Sequence, residues 1–391
     1  MQSTVRYTYK LRPGKIAEAK LWGDWCKCRF VWNHFVAKGK DNYKAFKAGL
    51  ETESLSFVSA AKSLTTLRAE NEWLREGSQV TQQQTIRKWA QTYWNAVKSK
   101  AGRPTFKSAK RDCPTLEYTT NGFKIKGDKL VLAGKIEIPV VWSRKLPSVP
   151  KSCTVFRDRV GDWCVSFVVR VEDIPLPKNT EGVGIDWGVA TTATCSDGTE
   201  LKASRRIKEA AAELKTLQRQ VSRAKRGSRK RITKRRRVAK LQRHVARQRK
   251  DSAHKWAKGI VEKFYYIAIE DLKLKFLAKS TMAKQASDNA IGLTREILIS
   301  KAERAGRVVA LVNPAYTTMT CSKCGSKAKT RIPLAQRTFH CDTCGFSDTR
   351  DGNAAKTILV GAGFNPTIVD DVRHTVAFGS CVRSEIGIPF L

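Results

Sequence analysis

Acidic residues are scarce in this sequence: 35 Asp and Glu stand against 74 Lys and Arg in 391 residues, a formal net charge of +39. Such an excess repels itself unless a polyanion offsets it, and nucleic acid does so with release of its condensed counterions. Long apolar runs are missing as well. None approaches the roughly 18 residues of a bilayer-spanning helix, and Met1 to Lys10 alternates polar and apolar where a signal peptide would be continuously apolar. There is no lipidation signal or basic amphipathic terminus to turn the charge toward a membrane surface. A disulfide scaffold is excluded too, because the eleven cysteines are unevenly placed in a chain long enough to bury its own cores. These absences predict a soluble cytoplasmic protein, nucleoid-associated through its charge, with roughly two to four domains or subdomains.

Residues 4–12 alternate as a strand does, and Pro13-Gly14 ends them. Trp25, Cys28, Trp32 and Phe35 then recur at helical spacing, as do Ile86, Trp89, Ala90, Tyr93, Trp94 and Val97 before Gly102 and Pro104. An aromatic stripe on one helix face predicts core packing rather than base stacking. From about Leu116 to Glu172 the pattern is β, with hairpin signals at Lys126-Gly127-Asp128-Lys129 and Val160-Gly161-Asp162. A small barrel or sandwich would hold these strands, with the helical segment inserted after the first. Pro175, Pro177 and Lys178-Asn179-Thr180 mark a linker.

Beyond it, an apolar strand ends at Asp186 and opens an α/β region; a second ends at Glu270, a helix follows near 291–305, and a third strand runs from Val308 to Val312. Residues 207–262 form a helical hairpin broken at Gly227-Ser228. Between Val221 and Lys250 it holds fifteen Lys and Arg and no acid. Ile232, Val238, Leu241 and Val245 keep a helical rhythm through this charge, which predicts an ordered helix offering Arg229, Lys230, Arg231, Lys234, Arg235, Arg236 and Arg237 to phosphates.

Two constellations carry chemistry. Cys321-x2-Cys324 and Cys341-x2-Cys344, sixteen residues apart, have the spacing of a zinc ribbon, in which two knuckles give four thiolates to one structural Zn²⁺. Gly325 and Gly345 each follow the second Cys, where a knuckle turn favours positive φ. Cys26 and Cys28 are too close for a usual ligand pair; they and the remaining cysteines read as plain thiols. Asp186, Glu270 and Asp351 form the second set. Two follow apolar strands and the third opens a short helical run, so an α/β fold could converge them. Three carboxylates suit Mg²⁺, and two such ions can activate water and stabilise a leaving oxygen in phosphodiester hydrolysis. Singly, each acid reads as a turn former or helix cap.

Tyr9-Lys10-Leu11-Arg12-Pro13, Arg29-Phe30-Val31-Trp32-Asn33-His34-Phe35, Gly184-Ile185-Asp186-Trp187-Gly188, Ile269-Glu270-Asp271-Leu272, Cys321-Ser322-Lys323-Cys324-Gly325 and Arg350-Asp351-Gly352-Asn353-Ala354-Ala355 stand in the order of the motifs of TnpB proteins. The sequence resembles that family over nearly its whole length, the tail excepted. The resemblance implies a β-barrel wedge (1–14 and 106–178) with an inserted helical recognition region (15–105). It further implies an RNase H-like (RuvC-like) nuclease (179–315 and 346–365) split by a zinc ribbon (316–345), leaving 366–391 as a tail without functional reading. It assigns Asp186, Glu270 and Asp351 to Mg²⁺, and implies a monomer on guide RNA that cuts target DNA beside a short flanking motif. Many relatives carry His-Asp-Arg-Asp where this chain has Asp348-Thr349-Arg350-Asp351, so the last acid is kept and its neighbours differ. The rival functions are a compact type V CRISPR effector, a guide-dependent repressor of the same fold without cleavage, and a zinc-ribbon RNA-binding protein for which the acids would be accidental.

Overall fold

The computed structural model describes residues 2–364 apart from 54, 100–101, 189–190, 203–204, 273–289, 331 and 334–335; the tail 366–391 lies outside the described residues. The chain divides into two compact units: Met1–Asp173 with Glu209–Val245, and Ile174–Lys208 with the described part of Ala246–Leu391. The hairpin read from sequence as 207–262 is therefore divided, its 209–245 stretch belonging with the first unit. No helix among the described residues is long and apolar enough to cross a membrane.

The first unit is built on β1 (Gln2–Leu11), β2 (Thr115–Thr119), β3 (Phe123–Lys126), β4 (Lys129–Leu132), β5 (Ile136–Val141), β6 (Ser152–Arg157) and β7 (Trp163–Glu172). They form one sheet in the order β2-β6-β7-β1-β5-β4-β3. Its edge strands β2 and β3 are joined by a single 3₁₀ turn, Thr120–Gly122, so the sheet curls into a nearly closed barrel. Strict alternation puts Ile136, Ile138 and Val140 of β5 inside with Tyr9, Tyr118, Val155 and Phe167. Positive φ at Gly127 and Gly161 makes the tight returns after β3 and β6.

Helices α1 (Lys15–Lys47), α2 (Phe57–Glu70), α3 (Glu72–Arg75) and α4 (Gln79–Ser99) leave the barrel between β1 and β2. Trp25 and Cys28 of α1 belong to the barrel core, whereas Trp32 and Phe35, further along the same helix, pack with Ile86 and Trp89 of α4 in a second core. The expected stripe on α4 falls short of its last turns. Trp94 and Val97 are 39% and 58% exposed, and the Trp94 indole donates to the Leu55 carbonyl at 3.1 Å.

The second unit has a five-stranded sheet of order β10-β9-β8-β11-β12, formed by β8 (Gly182–Asp186), β9 (Ala193–Cys195), β10 (Glu200–Leu201), β11 (Tyr266–Glu270) and β12 (Val308–Val312). β8, β11 and β12 are parallel, and β9 and β10 extend the sheet antiparallel. Parallel neighbours need crossovers. One ends in the C-terminal turns of α6 (Arg229–Lys263), whose Ala253, Ala257 and Ile260 are buried; the other includes α7 (Ile291–Arg304). α5 (Arg205–Arg223) precedes α6, and Gly227, at φ +83°, lies in the break between them. α8 (Arg350–Gly361) lies on β8, and Gly184 is what lets it: a Cβ there would overlap the Ala355 carbonyl oxygen and crowd the Leu359 amide. The strands β13 (Thr338–His340) and β14 (Ser347–Thr349) belong to the cysteine-bearing insert.

Candidate metal centres

The four predicted ribbon cysteines meet. Their sulfurs all lie within 4.8 Å of one another, with 3.8 Å between Cys321 and Cys344 and 3.6 Å between Cys324 and Cys341. Zinc–sulfur bonds of about 2.3 Å in a tetrahedron give sulfur separations of about 3.8 Å, so this donor set fits Zn²⁺. Two equivalent turns produce it. In one, the Cys321 carbonyl accepts from the Gly325 amide at 2.9 Å and the Cys321 amide donates to the Ser326 carbonyl; in the other, Cys341 does the same with Gly345 and Phe346. Gly325 and Gly345 sit at φ +75° and +68°, the left-handed region that the spacing argued for. The Ser326 hydroxyl, and after it the amides of Cys344 and Thr343, lower the Cys341 thiol to about 5, favouring the thiolate that a metal requires. Cys28, Cys153 and Cys195 are buried free thiols elsewhere.

The three predicted carboxylates come from separate segments of the second unit. β8 and β11 pair in parallel with Ile269 opposite Ile185, so Asp186 and Glu270 end adjacent strands at the same level. Asp351 stands in the first turn of α8, whose helix packs across β8 and is capped by the Thr349 hydroxyl accepting from the Gly352 amide at 3.1 Å. Asp186 is 8% exposed and Glu270 5%. Burial raises the Asp186 carboxyl well above the usual range, and the nearby charges of Glu270 and Asp351 raise it further. Glu270 is also raised by burial, against a hydrogen bond from Thr317 that lowers it. A set of acids that suffers from its own charge is chemically fitted to a hard divalent cation such as Mg²⁺. Among the described residues, the four thiols are the group of such donors whose ligand atoms all lie within 4.8 Å of one another.

Around the carboxylates, Thr317 and Arg337 carried no signal in the sequence, whereas Asn353 stood in the motif from Arg350 to Ala355 without a role. The Thr317 hydroxyl donates to Glu270 Oε1 at 2.8 Å. Asn353, fully buried, spans the start of the ribbon, donating to the Thr320 carbonyl at 2.8 Å and accepting from the Ser322 amide at 2.9 Å. Arg337 is largely exposed, with a guanidinium nitrogen 4.0 Å from Asp351 Oδ2. Asp348, in the stretch that departs from many relatives, pairs with Lys356 at 2.8 Å instead of joining the acids. A Thr and an Arg in polar segments look ordinary until the fold gives them neighbours.

Comparison with known proteins gives the family. Residues 166–281 match a family described as "Probable transposase" (OrfB of IS605), and residues 292–358 match the Cas12f1-like TNB domain. A Streptomyces pristinaespiralis protein carrying the name RNA-guided DNA endonuclease is 33% identical over 330 residues, covering 83% of this chain and 82% of that protein. The chain belongs to the TnpB family. InsQ of Escherichia coli K12, also named as an RNA-guided DNA endonuclease, is 29% identical over 384 residues and 92% of both chains. In fold, this TnpB-family protein is similar to the Cas12f1 chain of a cryo-EM structure of a Cas12f1–sgRNA–target DNA complex, with a TM-score of 0.58 at 13% identity over 94% of this chain and 99% of that one.

The basic residues of this TnpB-family chain differ in how free they are. On α6, Arg229, Lys230, Arg235, Arg236 and Arg237 are exposed, and Lys234 is half-buried. Arg231 spends part of its guanidinium within the hairpin. Its guanidinium donates to the Val221 and Ala224 carbonyls at 2.8 Å, satisfying the end of α5. Arg243, within the same unit, reaches Asp158 and Asp162 of the β6–β7 loop at 2.6 Å each and holds the Asp162 carboxyl below the usual range. It anchors α6 to the barrel and leaves Arg236, Arg237 and Lys240 lining an open cleft beside that loop.

Proposed function

We propose that this protein binds a guide RNA and cleaves target DNA beside a short flanking motif, by Mg²⁺-dependent phosphodiester hydrolysis in an RNase H-like (RuvC-like) unit. The observation that carries this reading is the convergence of Asp186 and Glu270, at the ends of two parallel strands, with Asp351 from the first turn of α8, two of them buried and all of one sign. The names of the relatives support the guide and target classes, and the charge of +39 supports polyanionic partners.

Asp186, Glu270 and Asp351 would hold two Mg²⁺. Bound there, the ions would activate water and stabilise the leaving oxygen of the scissile phosphodiester. Thr317 fixes one oxygen of Glu270 and leaves the other free to bind. Arg337, exposed beside Asp351, is placed to meet the incoming phosphate. The four ribbon cysteines would hold one structural Zn²⁺. Arg235, Arg236, Arg237 and Lys240 serve the RNA or heteroduplex backbone, whose sequence is read by base pairing. With all three acids present, nothing favours a repressor that binds without cutting.

The test begins with sequencing of RNA that copurifies with the protein. The complex is then given matched DNA with a randomised flank, and Mg²⁺-dependent cutting is assayed. Asp186→Ala should reduce cleavage by about a thousandfold or more, since several kcal/mol of transition-state stabilisation depend on the ions. Guide-RNA binding should stay near wild type. Robust cutting by the variant, or equal loss of cutting and RNA binding, overturns the assignment.

A further inference from the structure

One short stretch of chain, residues 317–322, touches one carboxylate and the helix that bears another, and also carries Cys321 of the thiol cluster. Thr317 at its start is 6% exposed, and its hydroxyl lies 2.8 Å from Glu270 Oε1 against 3.3 Å from the Pro314 carbonyl. The shorter contact, to a charged acceptor, is the stronger of the two. Glu270 ends β11, so its backbone is set by the sheet while its side chain keeps rotatable bonds; the hydroxyl selects among them.

At the other end, Asn353 brackets Cys321. Its amide nitrogen donates to the Thr320 carbonyl and its amide oxygen accepts from the Ser322 amide, the residues on either side of the zinc ligand. The Thr357 hydroxyl, one turn on, also donates to the Thr320 carbonyl at 3.1 Å. Asn353 follows Asp351 by two residues on α8, about 200° around the helix, so one side chain can face the ribbon while the other serves the carboxylate site. A primary amide at this position satisfies one donor and one acceptor at once, which neither a carboxylate nor an apolar side chain can do.

We propose that Thr317 and Asn353 are positioning residues that tie the first zinc knuckle to the carboxylates, so that the folded ribbon sets the geometry of the divalent-cation site as well as offering a surface to nucleic acid. The coupling rests on the cation site proposed above. Outer-shell partners of this kind commonly change metal affinity by about 10–100-fold when removed.

The test uses full-length protein carrying its copurified RNA, with Mn²⁺ as the probe cation and its binding read by electron paramagnetic resonance. Thr317→Val deletes the hydroxyl at nearly constant shape, and Thr317→Ser restores it. The expected result is Mn²⁺ affinity lowered by about tenfold or more in Thr317→Val, recovery in Thr317→Ser, and zinc content and RNA affinity unchanged in both. Asn353→Ala should weaken Mn²⁺ binding while zinc remains bound; should this variant fail to fold, the Thr317 pair decides. Wild-type Mn²⁺ affinity in Thr317→Val, or no recovery in Thr317→Ser, overturns the coupling. Asp186→Ala is the control. If it too leaves Mn²⁺ binding untouched, the cation site itself is misassigned and the coupling falls with it, whereas loss in Asp186→Ala with none in Thr317→Val sinks the coupling alone.

Discussion

The thiol centre and the carboxylate centre lie in one unit and are built in opposite ways. The thiols close to within 4.8 Å through two short turns, each held by backbone hydrogen bonds of its own. The carboxylates are brought by two strands and a helix from distant parts of the chain. The first set is locally specified and complete, as suits an ion that only holds structure. The second is like-charged and partly buried, as the proposed substrate-meeting cation site would require. Buried like charges cost stability that a bound cation would offset.

Changing Cys341 to Ser should have the largest effect, because zinc binding and local folding are one equilibrium. Zinc content should fall below one per chain and proteolytic protection of 316–345 should vanish. If the two centres were independent, Mn²⁺ affinity at the carboxylates would survive this change; the bracket of Asn353 around Cys321 predicts that it weakens.

A smaller effect of opposite sign is expected at the other centre in metal-free protein. The Asp186 carboxyl is raised by burial and by its acidic neighbours, so the folded state takes up its proton more readily than the unfolded one. Stability from this group is full below the ordinary aspartate range and is lost as pH rises through the raised value. Asp186→Asn should therefore melt higher than wild type at neutral pH in chelator, by about 2–4 °C for each kcal/mol relieved, and the difference should shrink on acidification. Equal melting temperatures at neutral pH would mean that the acids are not strained.

Smallest is the change that touches neither centre. Replacing Arg235, Arg236 and Arg237 with Ala should lower the salt slope of RNA or heteroduplex binding by up to about three, roughly one for each phosphate no longer neutralised. Melting temperature and zinc content should not move. An unaltered slope would mark that face of α6 as merely solvated. Arg243→Ala is a different experiment, since Arg243 anchors α6 on the β6–β7 loop.

Local patterns were legible wherever the fold asked for something local. Alternation over residues 4–12 gave β1, glycines at 127 and 161 gave the hairpin returns, and the apolar runs ending at Asp186 and Glu270 gave β8 and β11. Misreadings came where neighbours decide. Trp94 and Val97 continue a helical rhythm, yet the end of α4 leaves them exposed. Nor was there a sign in the sequence that one guanidinium nitrogen of Arg231 meets the end of α5.

What the sequence determined by itself was composition and short-range geometry: the charge, the four-thiol set, and which acids end strands or open a helix. These depend on spacing and on backbone propensity, which a few neighbouring residues fix. Only the tertiary structure decided that Asp186 and Glu270 stand at one level, that Gly184 admits α8 so that Asp351 nears them, that Thr317 meets Glu270, and that Asn353 brackets Cys321. Strand pairing, helix packing and buried hydrogen bonds are relations between distant residues. A side chain's role in them has no value until both partners are in place.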